Sequence, residues 1–424
     1  MKKIIQQAFF QLRNQPLLSV ITVLGTALAI ALIMVILIVY QAKTADYAPE
    51  VNRSRSLYVK WERTVYDKKD PNSAGHSRPS LWLVKEIFYP LTTPEAVTAT
   101  YEGGEVLVGT VGSDEEMNTP LMLTDAAFWK VYQFRFLAGK PFTEADFQSG
   151  MKQAVIAKSV ARRLFGGAEN AIGKDILVNF AAYTVCGVVD DVNRFCEFTW
   201  SEVYAPYTSN AIASEAEAGQ TSGNNVITIL ARSTDDFDAI RNEVARGVAQ
   251  IKTTLGDMEL QLMGQPDNFR MQLNRKFANQ YENLNANFWK YGIMILIILL
   301  VPAINLSGLT NTRMRRRLEE LGIRKAFGAT RNELVWQVLN ENLVLTVMGG
   351  LLGLALAYLF LWLMSDWLLQ TVWGATATMN ASMVSPVIFL IAFGFCLILN
   401  MFSAYVPAWR VAHTPIVDSL NEKL

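Results

Sequence analysis

Four apolar runs without a single charge constrain this chain more than anything else in it: Leu17 to Tyr40, Tyr291 to Leu309, Leu343 to Met364 and Pro386 to Tyr405. A bilayer core about 30 Å thick needs about 20 apolar residues at about 1.5 Å each, and every run is near or above that length. The first run is longer than the roughly 7 to 15 apolar residues of a secretory signal, and no small-residue cleavage site closes it, so it reads as an uncleaved anchor. The chain is therefore expected to cross a membrane four times.

Orientation follows from the flanks, because Lys and Arg near span ends stay on the cytoplasmic side. Lys2, Lys3 and Arg13 precede the first run, and Arg313, Arg315, Arg316, Arg317, Arg324, Lys325 and Arg331 lie between the second and third. Ser365 to Ser385 carries neither Lys nor Arg. Both termini are then cytoplasmic, and residues 41–290 form one long insertion outside. The whole chain balances 38 basic against 38 acidic residues, so charge favours no nucleic acid and is informative only by position.

The expected order is an amphipathic segment at 1–16, with Ile4, Ile5, Ala8, Phe9 and Leu12 opposite Lys2, Lys3, Gln6 and Arg13. Spans follow at 17–40, 291–309, 343–364 and 386–405. The outer domain fills 41–290, a basic cytoplasmic region 310–342, a short outer loop 365–385 and a cytoplasmic tail 406–424.

The insertion mixes strand and helix patterns, which makes it an α+β domain. Val226 to Leu262 reads strand, helix, strand: VITIL, a helix starting at Thr234 and Asp235 with Phe237, Ile240, Val244 and Val248 on one face, then MELQL. Ala154 to Val189 reads strand, helix, turn and strand pair, ending in a strand whose alternation predicts one packed face. Gln265 to Phe288 is polar and free of Gly, and is expected to form a stiff helical stalk into the second span, the alternative being a hinge-like linker near Asn283 to Asn287.

Nothing points to catalysis. Asp190 and Asp191 follow a strand, where adjacent side chains face opposite ways, and read as a turn. His76 and His413 are far apart, and Cys186, Cys196 and Cys396 lack metal-ligand spacing. Cys186 and Cys196 fall outside the cytoplasm, so both a disulfide and two buried free thiols are open. No G-x-S-x-G, H-E-x-x-H or G-x-x-x-x-G-K-[ST] occurs, so a non-enzymatic chain is expected, with no cofactor of its own and any ATP handled by another polypeptide.

Arg313 to Val335 holds a basic and acidic helix start, the apolar set Leu321, Ile323, Ala326 and Phe327, and Gly328 as a C-cap. By itself this is a short amphipathic helix at the inner membrane surface. It resembles the E-I-G-I-R-R-A-x-G-A run of the FtsX/MacB superfamily of ABC transporter permeases, seen here as Glu320, Leu321, Gly322, Ile323, Arg324, Lys325, Ala326, Phe327, Gly328 and Ala329. Glu341 with Gly349, Gly350 and Gly353 is similar to that family's third span, and Pro407, Ala408, Ala412 and Pro415 resemble its closing run. Phe136 to Phe147, Ala161 to Lys174 and Tyr183 to Asp191 resemble the MacB-type periplasmic core. Glu319 departs from the pattern, where the family often has Arg.

The resemblance implies an inner (plasma) membrane permease subunit that couples ATP hydrolysis by a separate ABC ATPase to export or extraction of a hydrophobic or peptidic cargo. The ATPase would dock on the segment containing Arg317, Glu320, Gly322, Ile323, Arg324, Lys325, Ala326, Gly328 and Ala329. The family also implies a dimer with a second copy or a paralogue, and a periplasmic adaptor is an open option. The Gly25/Ala29 and Gly349/Gly353 spacings permit close helix contact, equally well within one subunit. Glu341 at the edge of the third span calls for a partner, with Arg324 the candidate. The competing functions are an FtsX-like relay that activates envelope enzymes, and a ligand receptor.

Overall fold

The computed structural model describes residues 16–110, 112, 116–279, 327–368 and 386–413, together with 289, 292, 293 and 323. The amphipathic segment 1–16 lies outside them but for Pro16. The chain divides into two units, residues 44–284 and the remainder.

In the membrane unit, α1 runs Pro16–Thr44, α5 Arg331–Leu368 and α6 Pro386–His413. They cover three of the four expected runs. Of 291–309 only Gly292 and Ile293 are described, so the four-span count is carried by the sequence. Val23–Gln41 and Asn332–Met364 are long and apolar enough to cross a bilayer. Ile30, Ala31, Met34 and Ile38 of α1 form a buried cluster with Ala357 and Leu361 of α5, against which Phe389 and Phe393 of α6 pack.

The outer unit is built on two sheets. The larger uses, among the described residues, β1 (Ser56–Val59), β4 (Ala96–Thr110), β5 (Glu116–Thr124), β6 (Phe136–Gly139), β7 (Gln153–Ala157), β8 (Asp175–Val178), β9 (Ala181–Val189), β10 (Val203–Pro206), β12 (Asn225–Leu230) and β14 (Asp267–Asn268). Its path is β14-β1-β12-β4-β5-β10-β7-β9-β6, with β8 bridging β4 and β9. The smaller contains β2 (Glu62–Asp67), β3 (Asp70–Pro79), β11 (Ser222–Gly223) and β13 (Glu259–Gln261) in the order β11-β3-β2-β13. Buried throughout, β12 shows why NVITIL forms a central strand: its β-branched side chains suit a pleat packed on both sides.

Both units expected in the insertion are present. β7 and β9 are parallel, joined through α2 (Lys158–Phe165), which ends at left-handed Gly166 (φ 75°). Asp191 caps α2 from a distance, its Oδ1 accepting the Ser159 amide at 2.9 Å, and Asp190 lies within 4 Å of Arg135 and Lys158. The pair is structural, as a turn reading requires. In the second unit, α3 (Phe237–Gln250) buries Ile240 and Val244. The cap is Ser233, one residue earlier than expected: it and Asp236 form a reciprocal capping box around the opening turn. The flanking strands β12 and β13 belong to different sheets.

The stalk expectation is corrected. Asp267–Asn268 pairs with β1, and the helix that follows, α4 (Phe269–Asn274), stops at Arg275, whose backbone is extended. The reason is in the side chains: the Arg275 guanidinium is buried and turned back on Asp267, so helical continuation would pull it out. Of the rest of the stretch, Trp289 is helical and 280–288 lie outside the described residues.

Candidate functional site

Two places join the membrane helices to what lies beyond them. The first is the neck of the outer unit, where the segment that follows α1 meets β14 and α4. Glu50 and Arg53 are buried together, each side chain 1% exposed, with Arg53 Nε donating to Glu50 at 2.8 Å. The other Arg53 nitrogens donate to the Ala45 and Phe195 carbonyls at 2.5 and 2.6 Å. Glu50 accepts in turn from the Phe198 amide at 2.9 Å and the Thr199 hydroxyl at 3.0 Å. Burial pushes the Glu50 carboxyl up from its ordinary value, opposed by Arg53 and these donors. Burial lowers the Arg53 guanidinium most, and Glu50 together with nearby Cys196 and Tyr58 turns the net direction upward. The two groups meet in a dry site.

Arg53 also reaches the outbound chain. Its guanidinium lies 4.7 Å from the centroid of the Phe269 ring on α4, and Phe269 packs on Tyr58 of β1. Beside it β1 and β14 pair, Leu57 with Asn268 and Tyr58 with Asp267. Asp267 holds Arg275 at 2.5 and 3.0 Å, while Arg275 donates to the Met263 and Ala278 carbonyls. Gln265 accepts from the Lys60 and Trp61 amides at 2.9 and 3.1 Å. Inbound and outbound segments are thus fastened by a cation over a ring, a strand pair and a side-chain amide.

The second place is the corner before α5. Ile323 is helical, the Phe327 amide donates to its carbonyl at 3.0 Å, and Gly328 sits at φ 94°, the left-handed conformation expected of a C-cap. Thr330 and Glu333 then start α5 reciprocally: the Glu333 carboxylate accepts the Thr330 amide at 2.8 Å and the Thr330 hydroxyl accepts the Glu333 amide at 3.3 Å. Ala329 packs on a cluster formed by Leu334, Val335, Val338 and Leu339 of α5 with Ala404 and Ala408 of α6.

Of the residues singled out from sequence, Ile323, Gly328 and Ala329 lie together at this corner, while Arg317, Glu320, Gly322, Arg324, Lys325 and Ala326 fall outside the described residues. Gly349 and Gly353 serve contacts within the unit: a Cβ at Gly349 would stand 2.8 Å from Thr26, and one at Gly353 2.7 Å from the Ala27 carbonyl. Gly350 lies against Phe393, whereas Gly25 has open space around it and Ala29 is half-buried. Glu341 is in α5, its side chain outside what is described. Cys186 and Cys196 are free thiols, not a disulfide. No cluster that could hold a metal occurs among the described residues. Sequence reading missed Thr330 and Glu333, although T-x-x-E before an apolar run is a legible cap. It also missed Glu50, Arg53 and Phe269, whose meeting has no local signature.

The sequence model described as MacB-like periplasmic core domain matches residues 19–246, more than half of the chain, and that of the FtsX-like permease C-terminal matches 292–416. This chain belongs to the MacB/FtsX family of ABC transporter permeases. The first match begins inside α1 and ends before β13, and the second takes in α5 and α6. The ABC transporter permease YknZ of Bacillus subtilis is 23% identical over 345 residues, 80% of this chain and 81% of that protein. The macrolide export ATP-binding/permease protein MacB of Wolinella succinogenes is 24% identical over 431 residues, 98% of this chain but 60% of that protein. A pyoverdine export ATP-binding/permease protein, PvdT of Pseudomonas fluorescens, is 26% identical over 55% of this chain and 34% of its own length. Among solved structures, the extracellular domain of YknZ from Gram-positive bacteria is 19% identical, with a TM-score of 0.34 over 48% of this chain and all of that one.

Proposed function

We propose that this chain is the permease subunit of an exporter or extraction machine that works at the outer side of the inner membrane and draws on ATP hydrolysed by a separate subunit. The observation that carries this reading is the alignment with Wolinella MacB, named as ATP-binding and permease in one polypeptide. This chain spans 60% of that protein's length, and its residues 292–416 match the FtsX-like permease C-terminal. The ATPase docks on the cytoplasmic segment from Arg317 to Ala329. Its motion passes through four spans at 17–40, 291–309, 343–364 and 386–405 to the outer domain at 41–290. The neck supports a mechanical role, because a segment fastened to its neighbour at several points moves with it. The cargo is hydrophobic or peptidic, and the permease works as a dimer with a second copy or a paralogue.

The test uses the full chain in liposomes with its co-purified ATPase. ATP turnover rises when cargo is present, and charge reversal at Arg324 or Gly328→Pro lowers ATPase association while leaving membrane insertion intact. Proline cannot take the positive φ of Gly328. Normal ATPase recovery with both variants rejects the docking assignment. Turnover that relieves no cargo, but activates an envelope enzyme, moves the reading to an FtsX-like relay. Protease or labelling access to residues 41–290 from the cytosol overturns the orientation.

A further inference from the structure

The smaller sheet of the outer unit buries a carboxyl group that no cation neutralises. Glu62 on β2 is 0% exposed and takes part in no ion pair among the described residues. Its partners are three hydroxyls: Thr64 donates to Oε2 at 2.6 Å, Ser77 to Oε1 at 2.7 Å and Ser222 to Oε1 at 3.4 Å. The strand register explains the meeting, because Glu62 lies opposite Ser77 on β3, and Pro79, two residues on, lies opposite Ser222 on β11.

A hydroxyl has one proton to give, and two of these have a second acceptor. Thr64 also donates to the Thr221 hydroxyl at 2.8 Å, and Ser77 to the Arg78 carbonyl at 2.9 Å, which can only accept. Three hydroxyl protons thus serve five contacts, two from Thr64, two from Ser77 and one from Ser222. A carboxylate adds no proton, whereas a carboxylic acid adds one: it donates to Ser77 or Thr64, whose own proton then passes on to the Arg78 carbonyl or to Thr221. Asp125 shows the opposite provision. Equally buried, it accepts from the Ala99 and Phe128 amides at 3.0 Å and from the Thr98 and Tyr89 hydroxyls at 2.6 Å, a set furnished for an anion.

The charges around Glu62 are engaged elsewhere. Arg63, on the other face of β2, donates to Gln261 of β13, whose Glu259 accepts from Gln261 in turn. Lys60 pairs with Glu197, and Arg78 of β3 with Glu102 of β4, while β11 carries no charge. Burial raises the Glu62 carboxyl above its ordinary value, opposed by the three hydroxyls and, least of all, by His76 of β3.

We propose that Glu62 is a proton-operated clasp: as a neutral acid it leaves Ser77 and Thr64 free to hold the Arg78 carbonyl and Thr221, and as an anion it draws their protons to itself and loosens β11. That strand is the vulnerable one, since two residue pairs attach it, Ser222 with Pro79 and Gly223 with Arg78, beside the Ser80 amide on the Thr221 carbonyl. An acid held above its ordinary value stabilises the fold fully below the usual carboxylate range, and that contribution is lost as pH rises through the raised value. Acidification of the compartment that the outer unit faces therefore tightens this edge.

Hydrogen exchange of the full chain in nanodiscs tests this, read on peptides containing the Ser80 amide and corrected for the intrinsic effect of pH. From about pH 5 to about pH 8 the wild-type chain is expected to lose about tenfold or more in protection. Glu62→Gln, neutral throughout and able to donate, holds the acidic level at every pH, and His76→Gln keeps the wild-type dependence. Thr221→Val frees the Thr64 proton for the carboxylate and moves the midpoint to lower pH. Wild-type protection that ignores pH, or falls as far in Glu62→Gln, overturns the proposal, as does a dependence that vanishes with His76→Gln. Should Glu62→Gln fail to fold, Thr221→Val decides, and an unmoved midpoint rejects the shared-proton arrangement.

Discussion

The neck of the outer unit and the corner before α5 are built in opposite ways. At the neck, charges are buried, each satisfied by several partners, and two segments distant in sequence are bonded to each other. At the corner, the bonds are local, connecting residues three or four apart, and Phe327 is exposed. The buried charges of the neck are held by its own residues, although Gln272 Oε1 on α4 and Trp61 Nε1 beside β1 have no hydrogen-bond partner.

The sharpest way to break this comparison is to remove one half of the buried pair. Glu50→Ala strands Arg53 without its counter-ion in a dry site, and is expected to destabilise the outer unit by about 3 to 5 kcal/mol. Thermal unfolding of the full chain measures this, and a loss under about 1 kcal/mol would mean the neck is wetter than its burial implies. Gly353→Leu comes next, because its Cβ meets the Ala27 carbonyl and Ile30 of α1. Forced separation of these helices is expected to cost about 1 to 3 kcal/mol in SDS titrations, whereas the same change at Gly25, which faces open space, costs little. Thr330→Ala removes one arm of the cap and lowers stability by about 1 kcal/mol. Its larger consequence should be a looser corner, read as greater mobility of a label at position 327.

The smallest expected effect is chemical. Burial pushes the Cys186 and Cys196 thiols up to about 12. At pH 8 only about one thiol in 10,000 is then ionised, so iodoacetamide should leave both unmodified in a folded Cys396→Ser chain. Modification at a rate equal to that of the unfolded chain would show the neck opening around Cys196.

How much of this was legible depended on whether the deciding contact was local. Three of the four apolar runs, the β7-to-β9 unit and the Gly328 cap each follow from residues near one another in sequence, and each is found where the pattern puts it. The stalk failed for the complementary reason. Gln265 to Asn279 has helical composition, yet β14 is claimed by a strand more than 200 residues earlier and Arg275 by Asp267. No periodicity encodes either event. Arg53 over Phe269 is equally silent in sequence, since an isolated Arg and an isolated Phe are each unremarkable until the fold brings them within 5 Å.

The pairing of β1 with β14 has a further consequence. The first strand after one helix and the last before another are neighbours, so the outer module closes upon itself and begins and ends at the same spot. Such a cassette can be lengthened, trimmed or exchanged during evolution without changing the spacing of the two chain segments by which it is joined to the rest of the protein.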